Sequence, residues 1–232
     1  MSGHVLDGIV SPMVVASGKA VKASRRLESS FFWVALPTAT FHDEMLRIAD
    51  EAEPRRATAD YQTGSIIHLE ACLLRAIAER LQARTVIEVG TFIGASTHAL
   101  ASAPSVERVY TCDSSNDCLP STEKIVTFPK QTSTDMLKAL WKRGVSADLC
   151  FFDGALSAED VDLLAHVCRN NTAFVVHDHN FGPKLQKHGG IKNVARKGIG
   201  NVNLLKVRWP DHRLVEPLPQ TTMAAFVPEG LL

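Results

Sequence analysis

The chain has 232 residues, of which 45% are hydrophobic, so it can bury the core of one domain with a smaller appendage. Its 25 Lys and Arg residues are balanced by 25 Asp and Glu residues. This balance excludes the global positive field that would attract a nucleic acid or an anionic membrane, and it favours a neutral or weakly charged small molecule as the partner.

The five cysteines form no CxxC pair, and three of them lie within or beside apolar runs. This pattern favours neither a zinc site nor a disulfide framework. The sequence shows no secretory leader pattern and no run of 18 apolar residues. We therefore expect a protein of a reducing, cytoplasmic compartment that does not enter a membrane.

The first part of the chain, residues 1–63, has apolar patches that are interrupted by proline, glycine and basic residues. We interpret it as an N-terminal cap of short helices and loops. Over residues 65–81 apolar residues recur at helical spacing, and Ser65 is the expected N-cap. The sequence thus predicts a cap at 1–63 and a main domain at 64–232.

Short apolar runs then alternate with helical stretches in five repeats. The predicted strands are TVIEV, RVYTCD, KIVTF, DLCFFD and AFVVHD. Such alternation predicts a mostly parallel sheet with helices on both faces. Two later runs, NLLKVRW and MAAFV, predict an antiparallel hairpin at the sheet edge. The expected fold class is α/β, a Rossmann-like doubly wound sheet with an antiparallel C-terminal hairpin and a small helical cap.

Polar residues stand where the predicted strands end, which is where open parallel sheets bind ligands. They are Glu88, Asp113, Asp153 and the run His177, Asp178, His179 and Asn180. Turns also favour Asp and Asn, but turn chemistry does not readily place all of these residues at one rim. The rim of the sheet is therefore the candidate site.

The stretch VIEVGTFIGASTHAL, residues 86–100, follows the first strand. It lacks the Lys of a phosphate-binding P-loop, and Phe92 replaces the second glycine of a dinucleotide fingerprint. Glu88 would repel a pyrophosphate but could hold an ammonium group, and the helix start near Ser96 favours a carboxylate. Together these groups describe an amino acid, and Asp113 is suited to the hydroxyls of a ribose.

The stretch EVGTFIGAST, residues 88–97, resembles the first motif of class I S-adenosylmethionine (SAM)-dependent methyltransferases. Its form is similar to that of small-molecule O-methyltransferases of the macrocin and catechol types. FFDGALSAEDV, residues 151–161, and VVHDHNFGPKLQKHGGIKNVARKG, residues 175–198, are similar to later motifs of that group. The resemblance covers roughly residues 64–200.

The resemblance implies SAM as the cofactor. Glu88 would contact its amino group, Asp113 its ribose, and Ser133 with Phe152 its adenine. The residues implied for the cofactor site are Ser65, Glu88, Gly90, Thr91, Phe92, Gly94, Ser96, Asp113, Ser133, Phe152 and Asp153.

The resemblance also implies a catalytic set of Asp153, His177, Asp178 and His179. In the catechol-type enzymes a divalent ion orients the acceptor hydroxyl, and Asp153, His177 and Asp178 would hold Mg²⁺ or another divalent cation here. Three interpretations stay open for the histidine cluster: a metal site, a metal-free histidine base and a solvated turn. Lys197 belongs to a basic run that is interpreted as a solvated helix face. The alternative interpretation is that this run attracts an acidic substrate.

These observations predict a SAM-dependent methyltransferase that acts on a hydroxyl of a small-molecule acceptor. The apolar cap makes a homodimer the expected assembly, without a nucleic acid or a membrane as partner. Two other classes stay open. A nicotinamide-dependent oxidoreductase would use the same sheet but leave Glu88 without a role, and a SAM-binding or hydroxylase-like relative would transfer no methyl group.

Overall fold

The structure of the protein is a computed structural model that describes residues 66–115, 121–179, 191–215 and 221–229. For residues 191–196 only the backbone is described. The expected cap at 1–63 and the predicted cofactor ligand Ser65 lie outside the described residues. Among the helices of the described part, none is long and apolar enough to cross a membrane.

The described elements alternate between helix and strand over most of the chain. The helices are α1 (His68–Arg80), α2 (Ala95–Ser102), α3 (Ser133–Lys142), α4 (Ala158–Val167) and α5 (Ile191–Arg208). The strands are β1 (Thr85–Val89), β2 (Arg108–Asp113), β3 (Ile125–Pro129), β4 (Ala147–Phe152), β5 (Cys168–Val176), β6 (His212–Val215) and β7 (Ala224–Pro228).

The strands form one sheet in the order β3-β2-β1-β4-β5-β7-β6. Strands β1 to β5 pair in parallel, whereas β7 runs antiparallel to both β5 and β6. The strand order reverses at β1, which lies between β2 and β4. This reversal leaves a crevice at the carboxyl ends of the two central strands. The predicted fold class, a Rossmann-like and mostly parallel sheet with an antiparallel C-terminal hairpin, is confirmed.

The first strand of the hairpin comes from a later segment than the sequence predicts. The run NLLKVRW, residues 203–209, was expected as a strand, but it continues α5 to Arg208, and the strand follows as β6. The buried residues Val202, Leu205 and Trp209 recur at helical spacing. The strand prediction for 203–209 is therefore wrong, because a dense apolar run conceals a period of 3.6.

Helix α1 begins at His68, with Ile67 rather than the expected Ser65 at the N-cap position. The Glu70 carboxylate accepts a hydrogen bond from the Ile67 backbone N–H at 3.1 Å. Its other oxygen accepts from the backbone N–H and the hydroxyl of Thr222, at 2.9 Å each. The buried Glu70 thus joins the start of α1 to the segment that precedes β7.

An aromatic cluster surrounds Phe174, which is fully buried on β5. Its ring centroid lies 4.5 Å from that of Trp209 and 6.3 Å from that of Phe226. Because Trp209 directly follows α5 and Phe226 belongs to β7, the cluster packs the C-terminal part of the fold against the parallel sheet.

We expect Phe174→Ala to reduce the free energy of unfolding by about 3–5 kcal/mol, since a large buried ring leaves a cavity. Val207→Ala is the matched control, because the Val207 side chain on α5 is 86% exposed. Its effect should stay within about 0.5 kcal/mol. Urea denaturation followed by far-UV circular dichroism measures both. Equal effects of the two substitutions would contradict the packing of this cluster.

Candidate active site

A cavity of about 520 Å³ lies at the carboxyl ends of β1, β2 and β4, in the crevice that the strand order creates. Its size is within the range of small-molecule sites. Among the residues predicted from the sequence, those that line it are Gly90, Phe92, Asp113, Ser133, Asp153 and Asp178. Lys197 lines it as well. The cavity thus lies at the rim of the sheet, and the use of this cavity as a binding site stays a prediction.

The loop between β1 and α2 approaches the cavity with its backbone. Gly90 and Gly94 have φ values of +100° and +81°, a region that side chains rarely adopt. A Cβ atom at Gly90 would lie 3.2 Å from the backbone N of Gly154, so glycine lets the ends of β1 and β4 approach closely. Phe92 also has a positive φ, +45°, and its side chain is 41% exposed. Its ring thus stands where a dinucleotide fingerprint needs a glycine.

Asp113, at the end of β2, is held in place on both carboxylate oxygens. Oδ2 accepts from the Phe92 backbone N–H at 2.9 Å, and Oδ1 accepts from the backbone N–H and the hydroxyl of Ser115, also at 2.9 Å. These bonds connect the β1 loop to the β2 loop. They present an oriented carboxylate at the cavity wall, as recognition of a ribose diol requires.

Glu88 is fully buried in β1 and does not line the cavity. Its Oε2 accepts from the hydroxyls of Thr97 at 2.5 Å and Thr111 at 2.6 Å, while Oε1 accepts no hydrogen bond from the described residues. Burial raises the pKa of Glu88 from 4.5 to about 7. The hydroxyls of Ser96, Thr111 and Thr97 oppose this rise, and the charge of Asp153 adds to it. Its contact with a cofactor stays a prediction.

Three further predicted residues are buried and do not line the cavity. Thr91 is buried, and its hydroxyl bonds that of Thr111 at 2.6 Å, while Ser96 is buried in the first turn of α2. Phe152 is fully buried, and its ring stacks on Phe174 with 6.2 Å between centroids. The Phe152 side chain therefore belongs to the core, and its predicted adenine contact has no support from this placement.

His177, which follows β5, is 1% exposed and lies between two carboxylates. Nδ1 is 2.8 Å from Oδ1 of Asp153, and Nε2 is 3.4 Å from Oε2 of Glu70. Burial by itself would lower the pKa of His177, but these carboxylates raise it to about 9. The imidazole is therefore protonated at neutral pH, and both nitrogens donate.

Asp153, at the end of β4, forms the centre of a wider charge network. Lys197 Nζ lies 2.8 Å from Oδ1 of Asp153 and 3.2 Å from Oδ2 of Asp178. Burial acts to raise the pKa of Asp153, but His177 and Lys197 lower it to about 2. Burial likewise acts to lower the pKa of Lys197, and the two carboxylates raise it instead. At neutral pH the site therefore contains two carboxylates held by two cations.

The predicted metal ligands are close enough for an ion, since one ligand atom from each of Asp153, His177 and Asp178 lies within 4.8 Å of the others. However, the Lys197 ammonium contacts both carboxylates, and the His177 ring is engaged on both nitrogens. A metal ligand must present a free lone pair. The residues in their present arrangement do not fit a divalent cation.

His179, the last predicted catalytic residue, does not line the cavity. Its backbone N–H donates to the carbonyl of Thr222 at 2.8 Å. Burial lowers the pKa of its imidazole to about 4, so the ring is neutral at physiological pH. A catalytic role for His179 stays a prediction.

Sequence reasoning missed Glu70 and Asn201, and it named Lys197 only as one member of a basic run. The Asn201 side chain accepts from the Leu156 backbone N–H and donates to the Gly154 carbonyl, at 2.9 Å each. Lys197 and Asn201 are four residues apart, so they share one helix face. The expectation that Lys197 belongs to a solvated face is wrong, because its side chain is 30% exposed and paired. The position of Glu70 on the apolar stripe of α1 was the available signal for a buried acid.

Comparison with solved structures finds the same fold. The chain is similar to a Staphylococcus aureus protein provisionally assigned as a caffeoyl-CoA O-methyltransferase, with a TM-score of 0.51 and 11% identity over 90% of this chain and 97% of that one. It is also similar to spermidine synthase from Thermotoga maritima, with a TM-score of 0.50 and 11% identity over 70% of this chain and 59% of that one. No protein-family model and no curated protein matches the sequence.

The fold is thus the Rossmann-like fold of the class I methyltransferases. These two structures are named for different reactions, so the shared fold does not identify the reaction of this chain. The reaction has to be argued from the residues of the site.

We expect Glu88→Gln to change how stability depends on pH. The folded-state pKa of Glu88 is raised, so its contribution to stability is fully present below pH 4.5 and is lost as the pH rises through about 7. The unfolding temperature of the variant minus that of the wild type should therefore be more positive at pH 8 than at pH 4.

Glu123→Gln provides the control, since it makes the same charge change at an exposed residue. Its difference from the wild type should stay nearly constant between the two pH values. Differential scanning fluorimetry gives both curves. A Glu88→Gln difference as flat as that of the control would show that Glu88 does not have its pKa raised by burial.

Proposed function

We propose that the protein is a SAM-dependent methyltransferase that transfers a methyl group to an oxygen of a small-molecule acceptor. The observation that carries this proposal is the arrangement of the cavity. The fixed carboxylate of Asp113 lies on its wall at the end of β2, and Asp153, Asp178 and Lys197 line it at the ends of β4 and β5 and on α5. A cofactor bound across the carboxyl end of β1 would reach from Asp113 to the group formed by Asp153, Asp178 and Lys197.

The loop after β1 supports SAM over a dinucleotide. Phe92 fills the position at which a pyrophosphate needs a bare backbone, and the acids Glu88 and Asp113 flank the loop. Oε1 of Glu88 is a buried acceptor with no hydrogen bond from the described residues. The ammonium of a methionine group is a chemical partner that would favour the ionised form of this carboxylate.

In the proposed reaction the acceptor oxygen attacks the methyl carbon of the sulfonium. The new carbon–oxygen bond forms while the carbon–sulfur bond breaks, and sulfur keeps the electron pair. Asp153 is a weak base, since its pKa is about 2, and Lys197 is protonated. The hydroxyl proton is therefore released to water, and the acceptor reacts as an oxyanion that the Lys197 ammonium stabilises.

The remaining features of the proposal are carried over from the sequence. A small-molecule acceptor, a cytoplasmic homodimer and the lack of a nucleic-acid or membrane partner all stay predictions. The alternative class, a nicotinamide oxidoreductase, would bind NADH instead of SAM, so a binding experiment separates the two classes.

Isothermal titration calorimetry with SAM, S-adenosylhomocysteine and NADH tests the proposal. We expect saturable binding of both adenosyl ligands and none of NADH. Asp113→Asn should weaken S-adenosylhomocysteine binding about tenfold or more, because a hydrogen bond to a charged group contributes roughly 1.5–3 kcal/mol. Asp162→Asn, at an exposed acid on α4, should bind as the wild type does.

Binding of NADH without either adenosyl ligand would favour the oxidoreductase instead. If none of the three ligands binds, the proposed function is wrong. If SAM binds but no labelled methyl group reaches any member of a panel of phenols and carboxylic acids, the result would favour the SAM-binding relative that transfers no methyl group.

A further inference from the structure

We propose that the ammonium group of Lys197 takes the place of a divalent cation between Asp153 and Asp178, so that this site binds its acceptor without a metal. The inference rests on the proposed function only for the role that the ammonium has toward the acceptor. The occupancy of the site by Lys197 follows from the geometry alone.

The first observation is the position of Nζ. It lies 2.8 Å from Oδ1 of Asp153, a charge-assisted hydrogen-bond distance, and 3.2 Å from Oδ2 of Asp178, an ion-pair distance. A Mg²⁺ ion would stand about 2.0–2.1 Å from the same kind of oxygen. The ammonium and the ion would therefore compete for one volume, and only one of them can neutralise the two carboxylates.

The second observation is that the chain is built to bring Lys197 to this place. A Cβ atom at Gly198 would lie 2.5 Å from the carbonyl oxygen of Asp178, so only glycine allows the backbone of α5 to lie against the end of β5. One turn further, Asn201 bonds the carbonyl of Gly154 and the N–H of Leu156. The two contacts fix α5 in the turn that directly follows Lys197.

The third observation concerns what Lys197 can still bind. Two of the three ammonium donors are directed to Asp153 and Asp178, and the side chain lines the cavity with 30% of its surface exposed. Within the part of the chain that the structure describes, Nζ contacts no further acceptor, so one donor is left for a ligand. A single ammonium donor recognises one anionic oxygen, whereas a metal ion chelates two oxygens on neighbouring carbon atoms. The substrate class is therefore an acceptor with one acidic oxygen, such as a monophenol or a carboxylic acid.

Manganese binding tests the inference without any acceptor or cofactor. Mn²⁺ is titrated into the full-length chain, and the electron paramagnetic resonance signal reports the free ion. We expect the wild type to show no saturable binding. Lys197→Met should gain a saturable site that binds at least tenfold tighter than any binding of the wild type, because the two carboxylates lose their cation. Adding Asp153→Asn to Lys197→Met should remove that site.

Arg208→Met is the matched control, because it removes one positive charge from an exposed position on the same helix. It should exclude Mn²⁺ as the wild type does. Lys197→Arg keeps a cation at the site and should also exclude Mn²⁺. Thermal melts establish that each variant is folded.

Saturable Mn²⁺ binding by the wild type that Asp153→Asn abolishes would overturn the inference, since the carboxylates would then hold a metal in solution. A folded Lys197→Met that gains no Mn²⁺ site would overturn it as well, because the carboxylates would not form a cation site. Both outcomes are independent of the titrations with SAM and NADH, so failure of the proposed function is measured separately.

Discussion

The arrangement of the site depends on one constraint: carboxylates removed from water need cations and donors beside them. Glu70 is fully buried, and Asp153 and Asp178 are largely so. An unpaired buried charge is costly, and its removal from water is offset only by good hydrogen-bond geometry. His177 and Lys197 are the cations of this network: His177 lies within ion-pair distance of all three acids, and Lys197 within ion-pair distance of Asp153 and Asp178. The network positions elements from both ends of the described chain around the cavity.

The same buried charges also connect helices and strands of the fold outside the cavity. Glu70 connects α1 to the segment before β7 through Thr222, and it contacts His177 at the end of β5. Lys197 connects α5 to the ends of β4 and β5. Helices from opposite parts of the sequence are thus held to the same sheet by polar contacts, while the apolar face of each helix supplies the burial. These contacts hold the charged groups of the site in fixed positions relative to one another, without a ligand.

Local pattern predicts most of the sheet correctly. The strands β1 and β2 coincide with the apolar runs TVIEV and RVYTCD, because a central strand of a parallel sheet is buried on both faces. The end of α5 was mistaken for a strand for a related reason. The run at the end of α5 has four apolar residues among seven, and so short a window cannot separate a helix from a strand. Glycines at positive φ and acids at strand ends are equally local, so the loop at Gly90 and the place of Asp113 could be inferred.

The sequence by itself therefore determined the fold class, the crevice and the acids at its rim, since each depends on residues close together along the chain. Tertiary structure decided which charges meet. Lys197 and Asp153 are 44 positions apart, and His177 and Glu70 are 107 apart. Periodicity carries no information about such pairs, because they depend on how the helices dock on the sheet. In the sequence, the strand-end acids Asp153 and Asp178 suggest a metal site. In the folded chain they contact the ammonium group of Lys197, which α5 places beside them.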